Sequence, residues 1–309
     1  MISDITNTWV PSMRRYIDEE ALMKLIQRQG YLDFLRRNRE RPIIKVVSGI
    51  RRCGKSTLFR LFKDELLADN VKPEQIISIN FEELEYEHLR DYHALYQYIL
   101  ERMQPNETNY IFLDEIQHVD QFHRVVDSLF VKENTDLYIT GSNAYFMSSD
   151  IATLLTGRYV EIHMLPLSFS EFYHSKYEGN QYSLIPAYEA YLRESSFPYT
   201  QQLGGEDFDI QEYLRGLYNT LLLHDVVARL KINDVTILQD IVRYIMANVG
   251  SLLSPNKIAN SLVSAGRKID NKTVERYLQG LQDSLLLYKV NRYDVRGKEL
   301  LRINAKYYS

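Results

Sequence analysis

Residues 49–56 read Gly-Ile-Arg-Arg-Cys-Gly-Lys-Ser, after the run Ile43-Ile44-Lys45-Val46-Val47-Ser48 and before the helical pattern Leu58, Leu61, Phe62. Glycine, four residues, then Gly-Lys-Ser between a strand and a helix makes a loop that turns backbone N–H groups inward around a polyphosphate. The phosphate contacts expected are Gly49, Ile50, Arg51, Arg52, Cys53, Gly54, Lys55, Ser56 and Thr57. Lys55 reaches the terminal phosphates, and Ser56 can hold Mg²⁺. Gly49 and Gly54 are expected to be glycine because a Cβ would obstruct a positive-φ turn and the close approach of phosphate. The feature points to a nucleoside triphosphate at the carboxyl ends of parallel strands.

The segments around the loop alternate in the same way. Strands are predicted at 43–48, 76–81, 109–113, 137–141 and 159–163, with helices at 55–69, 91–103 and 119–132 between them. This is the rhythm of a three-layer α/β core with a parallel sheet. Residues 1–40 read as a helical lead-in, amphipathic from 11 onward, and 41–165 as the core. Segment 166–232 reads as helical. The last unit, 233–309, reads as helices 235–249, 255–265 and 271–284, then β-like runs 285–293 and 300–307, which is the winged form of the helix-turn-helix plan.

Composition excludes several classes. The 309 residues are 45% apolar and 25% charged, without a run near the roughly 20 apolar residues of a membrane span. The start lacks the pattern of a signal peptide. The single cysteine, Cys53, fits a reducing cytoplasm, and the seven histidines show no metal-ligand spacing. A net charge of −4 gives no global push toward nucleic acid. The 24 tyrosines scatter and read as packing.

Phe112-Leu113-Asp114-Glu115 ends an apolar strand in two carboxylates. In such a site the first supports Mg²⁺ beside Ser56, and the second serves the attacking water as general base. Asn143, in Thr140-Gly141-Ser142-Asn143, is the candidate sensor of the γ-phosphate, with Ser142 as fallback. Arg158 is a candidate arginine finger, in cis or in trans. Arg51 and Arg52 lie inside the loop and point either at phosphates or into solvent, and one of them reaching a neighbouring acidic residue stands beside direct catalysis as an alternative. Cys53 reads as a small side chain filling the loop interior, with a redox switch the lesser alternative. In the last unit Lys272, Thr273 and Arg276 on one helix, and Arg296 and Lys298 with Arg292 near the wing, could meet DNA phosphates, against Glu275, Asp283 and Asp294.

The stretches GIRRCGKSTL, FLDEIQHV, ITGSNA and LLTGRYVEIHMLPLSFSEF together resemble a bacterial and archaeal family of AAA-type P-loop ATPases, from about residue 30 onward. Run 165–172 is the most specific part. The resemblance implies an AAA-type core followed by a helical and winged-helix region of uncharacterised function. It implies Lys55 and Ser56 as phosphate and Mg²⁺ contacts, Asp114 and Glu115 as metal-supporting and catalytic carboxylates, and Asn143 as a sensor. Relatives often carry Gly-Gly-Phe-Pro where this chain has Ser195-Ser196-Phe197-Pro198, so that turn is expected to differ. They usually continue past a segment like Lys306–Ser309 into a nuclease-like domain, so the chain is expected to be either a naturally short member or a trimmed one, the end inside a strand favouring trimming.

The reading is a cytoplasmic, Mg²⁺-dependent ATPase that binds ATP and releases ADP, with Lys55, Ser56, Asp114 and Glu115 as its machinery. Hydrolysis would drive a winged-helix module, with duplex DNA as one partner. The alternatives are a nucleotide-gated DNA-binding regulator and a protein-assembly switch that docks another protein or its own copy. Adenine recognition has no assigned residue, though Arg14–Tyr16 is a neighbouring candidate.

Overall fold

Side chains that alternate along each strand decide which layer of the fold they feed. The computed structural model describes residues 25–142, 155, 157–177, 182–203, 207–221, 226–227, 230–232, 234–291 and 305–309. Its main sheet holds β1 (Ile44–Gly49), β2 (Ile76–Asn80), β3 (Asn109–Asp114), β4 (Thr135–Gly141) and β5 (Tyr159–Met164). The five strands are parallel, in the order β2-β3-β4-β1-β5. Every residue of β1 and β3 is buried, as expected of parallel strands covered on both faces.

One face takes Val47, Tyr110, Phe112 and Tyr138 against Leu32 and Leu35 of α1 (Gln29–Asn38) and Phe59 and Phe62 of α2 (Lys55–Ala68). Phe112 and Tyr138 stack there with ring centroids 4.7 Å apart. The other face takes Val46, Ile111, Leu113 and Ile139 against α3 (Tyr92–Arg102) and α4 (Phe122–Phe130). From β1 the chain runs through α2 to the far edge strand β2. The carboxyl ends of β1, β3 and β4 therefore open on one crevice, where α/β sheets bind ligands.

The amino end of the sheet is closed by a buried ion pair. Lys45 on β1 bonds Asp136 on β4, and its Nζ also donates to the Arg41 carbonyl at 2.9 Å. Asp136 further accepts from the Glu40 N–H (2.8 Å) and the Tyr138 hydroxyl (2.7 Å), so the carboxylate is well supplied with donors. Burial pulls the Lys45 pKa down and Asp136 pulls it back up, with burial the stronger.

Past the sheet come α5 (Phe169–Tyr177), α6 (Leu184–Glu194), a 3-10 turn at Pro198–Gln202 and α7 (Asp207–Thr220). The last unit contains α8 (Val235–Met246), β6 (Leu252–Leu253), α9 (Pro255–Ser264), α10 (Asn271–Asp283), β7 (Tyr288–Asn291) and β8 (Ala305–Tyr308). Its strands form an antiparallel sheet in the order β6-β8-β7, over an apolar cluster that includes Leu238, Ile258, Val274, Leu278 and Tyr307. Asp234, Ser254 and Asp270 accept N–H bonds at the starts of its three described helices. No described helix is long and apolar enough to cross a membrane.

Several local expectations needed correction. Among the described residues of the lead-in, helix runs over Gln29–Asn38 and residues 25–28 are non-helical, while 1–24 lie outside the described residues. The helix expected over 119–132 begins only at Phe122, because Gln121 adopts φ 49° and breaks the run from the 3-10 turn Ile116–His118. The short strand β6 had no sequence signal. At Ser195 the chain turns with φ 77° and ψ 163°, a conformation close to glycine's alone. Serine thus makes a turn suited to the glycine of the resembling sequences, and the Ser196 carbonyl accepts from the Leu167 N–H at 2.7 Å.

Two stability outcomes follow from these packing details. Ser195→Gly should stabilise the protein by about 1 kcal/mol, a rise of a few degrees in Tm in a thermal melt. Asp136→Asn should cost about 3–5 kcal/mol in urea unfolding, since it leaves an ammonium buried without its counter-charge. The double variant Lys45→Met, Asp136→Asn should then lie closer to the parent than Asp136→Asn alone.

Candidate functional site

β1 ends at Gly49, the loop turns through Arg52 (φ 66°) and Gly54 (φ 105°), and α2 begins at Lys55. Gly54 needs its glycine for the left-handed backbone. Gly49 needs it for another reason: its backbone is part of β1, and a Cβ there would sit 2.3 Å from the Met164 carbonyl oxygen and 3.0 Å from Cys53 Sγ. The expected positive-φ requirement holds at Gly54, and close packing of β1 on β5 replaces it at Gly49. The first-turn N–H groups of α2 have no intrahelical acceptors and face the loop side.

Lys55 is buried and curls back over its own loop. Its Nζ donates to the carbonyls of Gly49 (3.0 Å) and Ile50 (3.3 Å) and lies 3.2 Å from Glu115 Oε1. Cys53 is fully buried, and that burial pushes its thiol up, away from the reactive thiolate. It is a packing residue of the loop, as its size suggests. Arg51 pairs with Glu82 at 2.9 Å, and Arg52 is exposed.

The carboxylates meet the loop from β3. Thr140 on β4 ties them together: its hydroxyl donates to Asp114 Oδ1 and accepts from the Glu115 N–H at 2.8 Å. The Ser56 hydroxyl, exposed in the first turn of α2, stands on the same side of the site and helps to lower the Asp114 pKa. Burial pushes the Asp114 pKa up, more than Ser56 and Thr140 lower it. For Glu115 burial also pushes upward, but the Lys55 charge and bonds from Gln117, Ser142 and Lys55 together bring it below the usual carboxylate range. Glu115 is thus held as an anion. Its backbone adopts φ 54°, which turns the chain away from the strand immediately after Asp114.

The donor set fits magnesium. A serine hydroxyl and a carboxylate are hard oxygen ligands, and among the described residues no group of three or more His, Cys, Asp or Glu could hold a metal alone. Ser56 and Asp114 would hold such an ion with phosphate oxygens and water completing its shell.

Other expected residues fall elsewhere. Asn143 lies outside the described residues, whereas the fallback Ser142 is buried and accepts from Gln117 Nε2 at 3.2 Å. Arg158 precedes β5 and bonds Asp127, while the loop leaves β1 at the far, carboxyl end of the sheet. It stands a full strand length from the loop of its own chain, so a cis finger is excluded. On α10, Lys272 and Arg276 are exposed and Thr273 is half-buried, beside exposed Glu275 and the capping carboxylate of Asp270. Arg296 and Lys298 lie outside the described residues, as do Arg14–Tyr16.

Sequence reasoning missed Arg28. This buried guanidinium bonds Glu171 through Nε (2.8 Å) and Nη2 (2.9 Å), and the carbonyls of Cys53 (3.2 Å), Leu165 (2.6 Å) and Pro166 (3.1 Å). The available signal was Ser168-Phe169-Ser170-Glu171, a capping-box spacing at the start of α5. Beside the loop, Leu25, Ile26, Thr57, Leu61, Met164 and Pro198 line a cleft of about 140 Å³. A larger cavity of about 980 Å³, lined by Ile50, His163, Leu217, Leu285 and Tyr288 among others, is mainly apolar and lacks the ligands a triphosphate needs.

Residues 41–173 match the family model of an AAA domain, and residues 185–309 that of a domain of unknown function (DUF8612). An uncharacterized protein of Haemophilus influenzae is 39% identical over 287 residues, covering 92% of this chain and 71% of the relative. An uncharacterized protein of Methanocaldococcus jannaschii is 30% identical over 276 residues, covering 83% of this chain and 58% of the relative. Among solved structures, the Walker-type ATPase of Pyrococcus abyssi superposes with a TM-score of 0.59 at 18% identity, over 85% of this chain and 91% of that one, a likeness of fold.

The Arg28–Glu171 pair sets a pH dependence. Burial pushes the Glu171 pKa up, but the Arg28 and Ser168 bonds outweigh it and lower it below 4.5. A carboxylate depressed on folding contributes stability that is complete above its unfolded pKa and is lost as pH falls through the folded value. Urea unfolding of Glu171→Gln should therefore show a deficit against the parent at neutral pH that narrows as pH drops below 4.5.

Proposed function

We propose, since this chain belongs to a family of AAA-domain proteins in which a domain of unknown function follows the AAA domain, that it binds ATP and hydrolyses it to ADP and phosphate. One observation carries the reading: buried Lys55 of the loop meets Glu115 and Asp114 at the end of β3, with the exposed Ser56 next to Lys55 at the mouth of the same site. The first-turn amides of α2 cradle the phosphates. Lys55 exchanges the Gly49 and Ile50 carbonyls and its pairing with Glu115 for phosphate oxygens. Glu115, held anionic, takes the proton of the attacking water. Magnesium, when bound, would neutralise charge on the β- and γ-phosphate oxygens. The base rests in the apolar cleft of Leu25, Ile26, Thr57, Leu61, Met164 and Pro198.

We also propose that hydrolysis moves the regions that follow the core. The division is 1–40 lead-in, 41–165 ATPase core, 166–232 helical segment and 233–309 winged-helix unit. The order α8-β6-α9-α10-β7-β8 with a β6-β8-β7 sheet supports the winged-helix reading. Leu217 and Leu221 at the end of α7, and Leu285 after α10, share an apolar cluster with Ile50, Cys53 and Met164, which supports coupling to the loop. Duplex DNA would have to meet Lys272 and Arg276, whose charges Asp270 and Glu275 offset, so a protein partner or second copy suits this face better. Arg158 acts only in trans in this reading. The single cysteine supports a cytoplasmic setting.

The test is a pair of variants. Lys55→Ala should weaken ATP binding on the order of 100-fold in a titration with a fluorescent ATP analogue. Glu115→Gln should bind ATP as the parent does and turn over at least about 100-fold more slowly. Parental turnover by Glu115→Gln removes Glu115 from the role of base. Duplex DNA added to the same assay should leave the rate unchanged, and salt-sensitive stimulation lost in Lys272→Ala would reverse that expectation.

A further inference from the structure

Gln117 stands next to the carboxylate cluster and has no part in the mechanism so far. Both N–H bonds of its side-chain amide are in use: Nε2 donates to Glu115 Oε2 and to Ser142 Oγ. A carboxylate anion and its neighbour demand a donor, so the nitrogen must face them, and the orientation of the planar amide is thereby set. The other end of the same amide, Oε1, is buried and has no hydrogen-bond partner among the described residues. A buried acceptor left unpaired costs free energy and calls for an explanation.

We propose that Gln117 is a water-positioning residue whose Oε1 accepts a hydrogen bond from the water that attacks the γ-phosphate. The inference rests on the ATPase reading above and deepens it. Oε1 belongs to the same amide that bonds Glu115 Oε2, and a water bridging the two acceptors would donate one hydrogen to each. One water proton passes to Glu115 as its oxygen bonds to the γ-phosphorus. The β–γ bridging P–O bond breaks, and its electron pair leaves with ADP. The second O–H stays on the new phosphate, and it is this bond that Gln117 orients. Two acceptors aim a water where one lets it swing, which is an orientation effect and acts on the chemical step.

Gln117 also holds Glu115 in place when Lys55 turns to the phosphates. In the described state Glu115 has Lys55 on one side, and Gln117 and Ser142 on the other. Removing Lys55 from that set leaves Gln117, which bridges to Ser142 at the end of β4.

Steady-state hydrolysis and ATP binding by Gln117→Leu and Gln117→Ala test this, with circular dichroism confirming that each variant folds. Leucine keeps the bulk and removes both polar ends, and alanine serves should leucine fail to fold. The expected result is ATP affinity and KM within about threefold of the parent and kcat reduced on the order of 10- to 100-fold. A folded variant with kcat within twofold of the parent overturns the proposal, as does a loss confined to KM. Glu115→Gln measured in parallel separates the two readings. If it is inactive while Gln117→Leu is not, only the role of Gln117 falls; if it hydrolyses at the parental rate, the roles of Glu115 and Gln117 both fall and the ATPase reading stands; no hydrolysis by the parent overturns that reading itself.

Discussion

The Arg28–Glu171 contact is the constraint on which the site's geometry depends. A buried guanidinium must find acceptors for its N–H groups, and here they come from separated stretches of the chain. One end of the bond set is the phosphate loop, at the Cys53 carbonyl. Another is the exit from β5, at Leu165 and Pro166, and the last is Glu171 in the first turn of α5. Tyr31 closes the arrangement, with its ring 4.4 Å beneath the guanidinium and its hydroxyl on the Leu165 N–H. Such a hub ties the loop to the helical region by polar bonds, beside the apolar packing of Ile50 and Cys53 with Leu217 and Leu221.

That hub also supplies a physical reason for the stretch Leu165–Phe172. Ser168 and Glu171 bond each other reciprocally at the helix start, with the Ser168 N–H on Glu171 Oε2 (2.8 Å) and the Glu171 N–H on Ser168 Oγ (3.2 Å). Glu171 therefore serves the cap and the arginine at once. A shorter side chain could do neither well, and a neutral one would leave the buried guanidinium without its counter-charge. Ser195, although strained, stays in its turn because the next carbonyl anchors Leu167 inside this same loop.

The two ends of the sheet handle buried charge in opposite ways. At the amino end Lys45 and Asp136 saturate one another with help from Tyr138, Glu40 and Arg41. Among the described residues, no buried side-chain polar atom of this group lacks a partner. At the carboxyl end Lys55 is held partly by backbone carbonyls of its own loop, Asp114 is pushed toward its neutral form by burial, and Gln117 keeps an unpaired oxygen. Unsatisfied groups concentrate where polar atoms of a substrate would complete them.

The sequence by itself determined the parallel α/β core and placed its strands to within two residues at each end, because β-rich runs alternating with helical periods admit few other layers. It also singled out the loop and the Asp114-Glu115 pair, whose residue types have meaning through short-range chemistry. Only the tertiary structure decided what those groups touch. That Gly49 is required by Met164, that Thr140 bridges two carboxylates, and that Arg158 lies at the wrong end of the sheet are consequences of strand order. Strand order comes from crossover connections, which leave no local mark on residue spacing. Arg28 shows the same limit most plainly: as one of several arginines in a polar stretch it reads as surface, and only folding brings it against Glu171 and Cys53. Local pattern reports a residue's immediate neighbours along the chain, whereas a charge is made useful or costly by neighbours that the fold brings from far away.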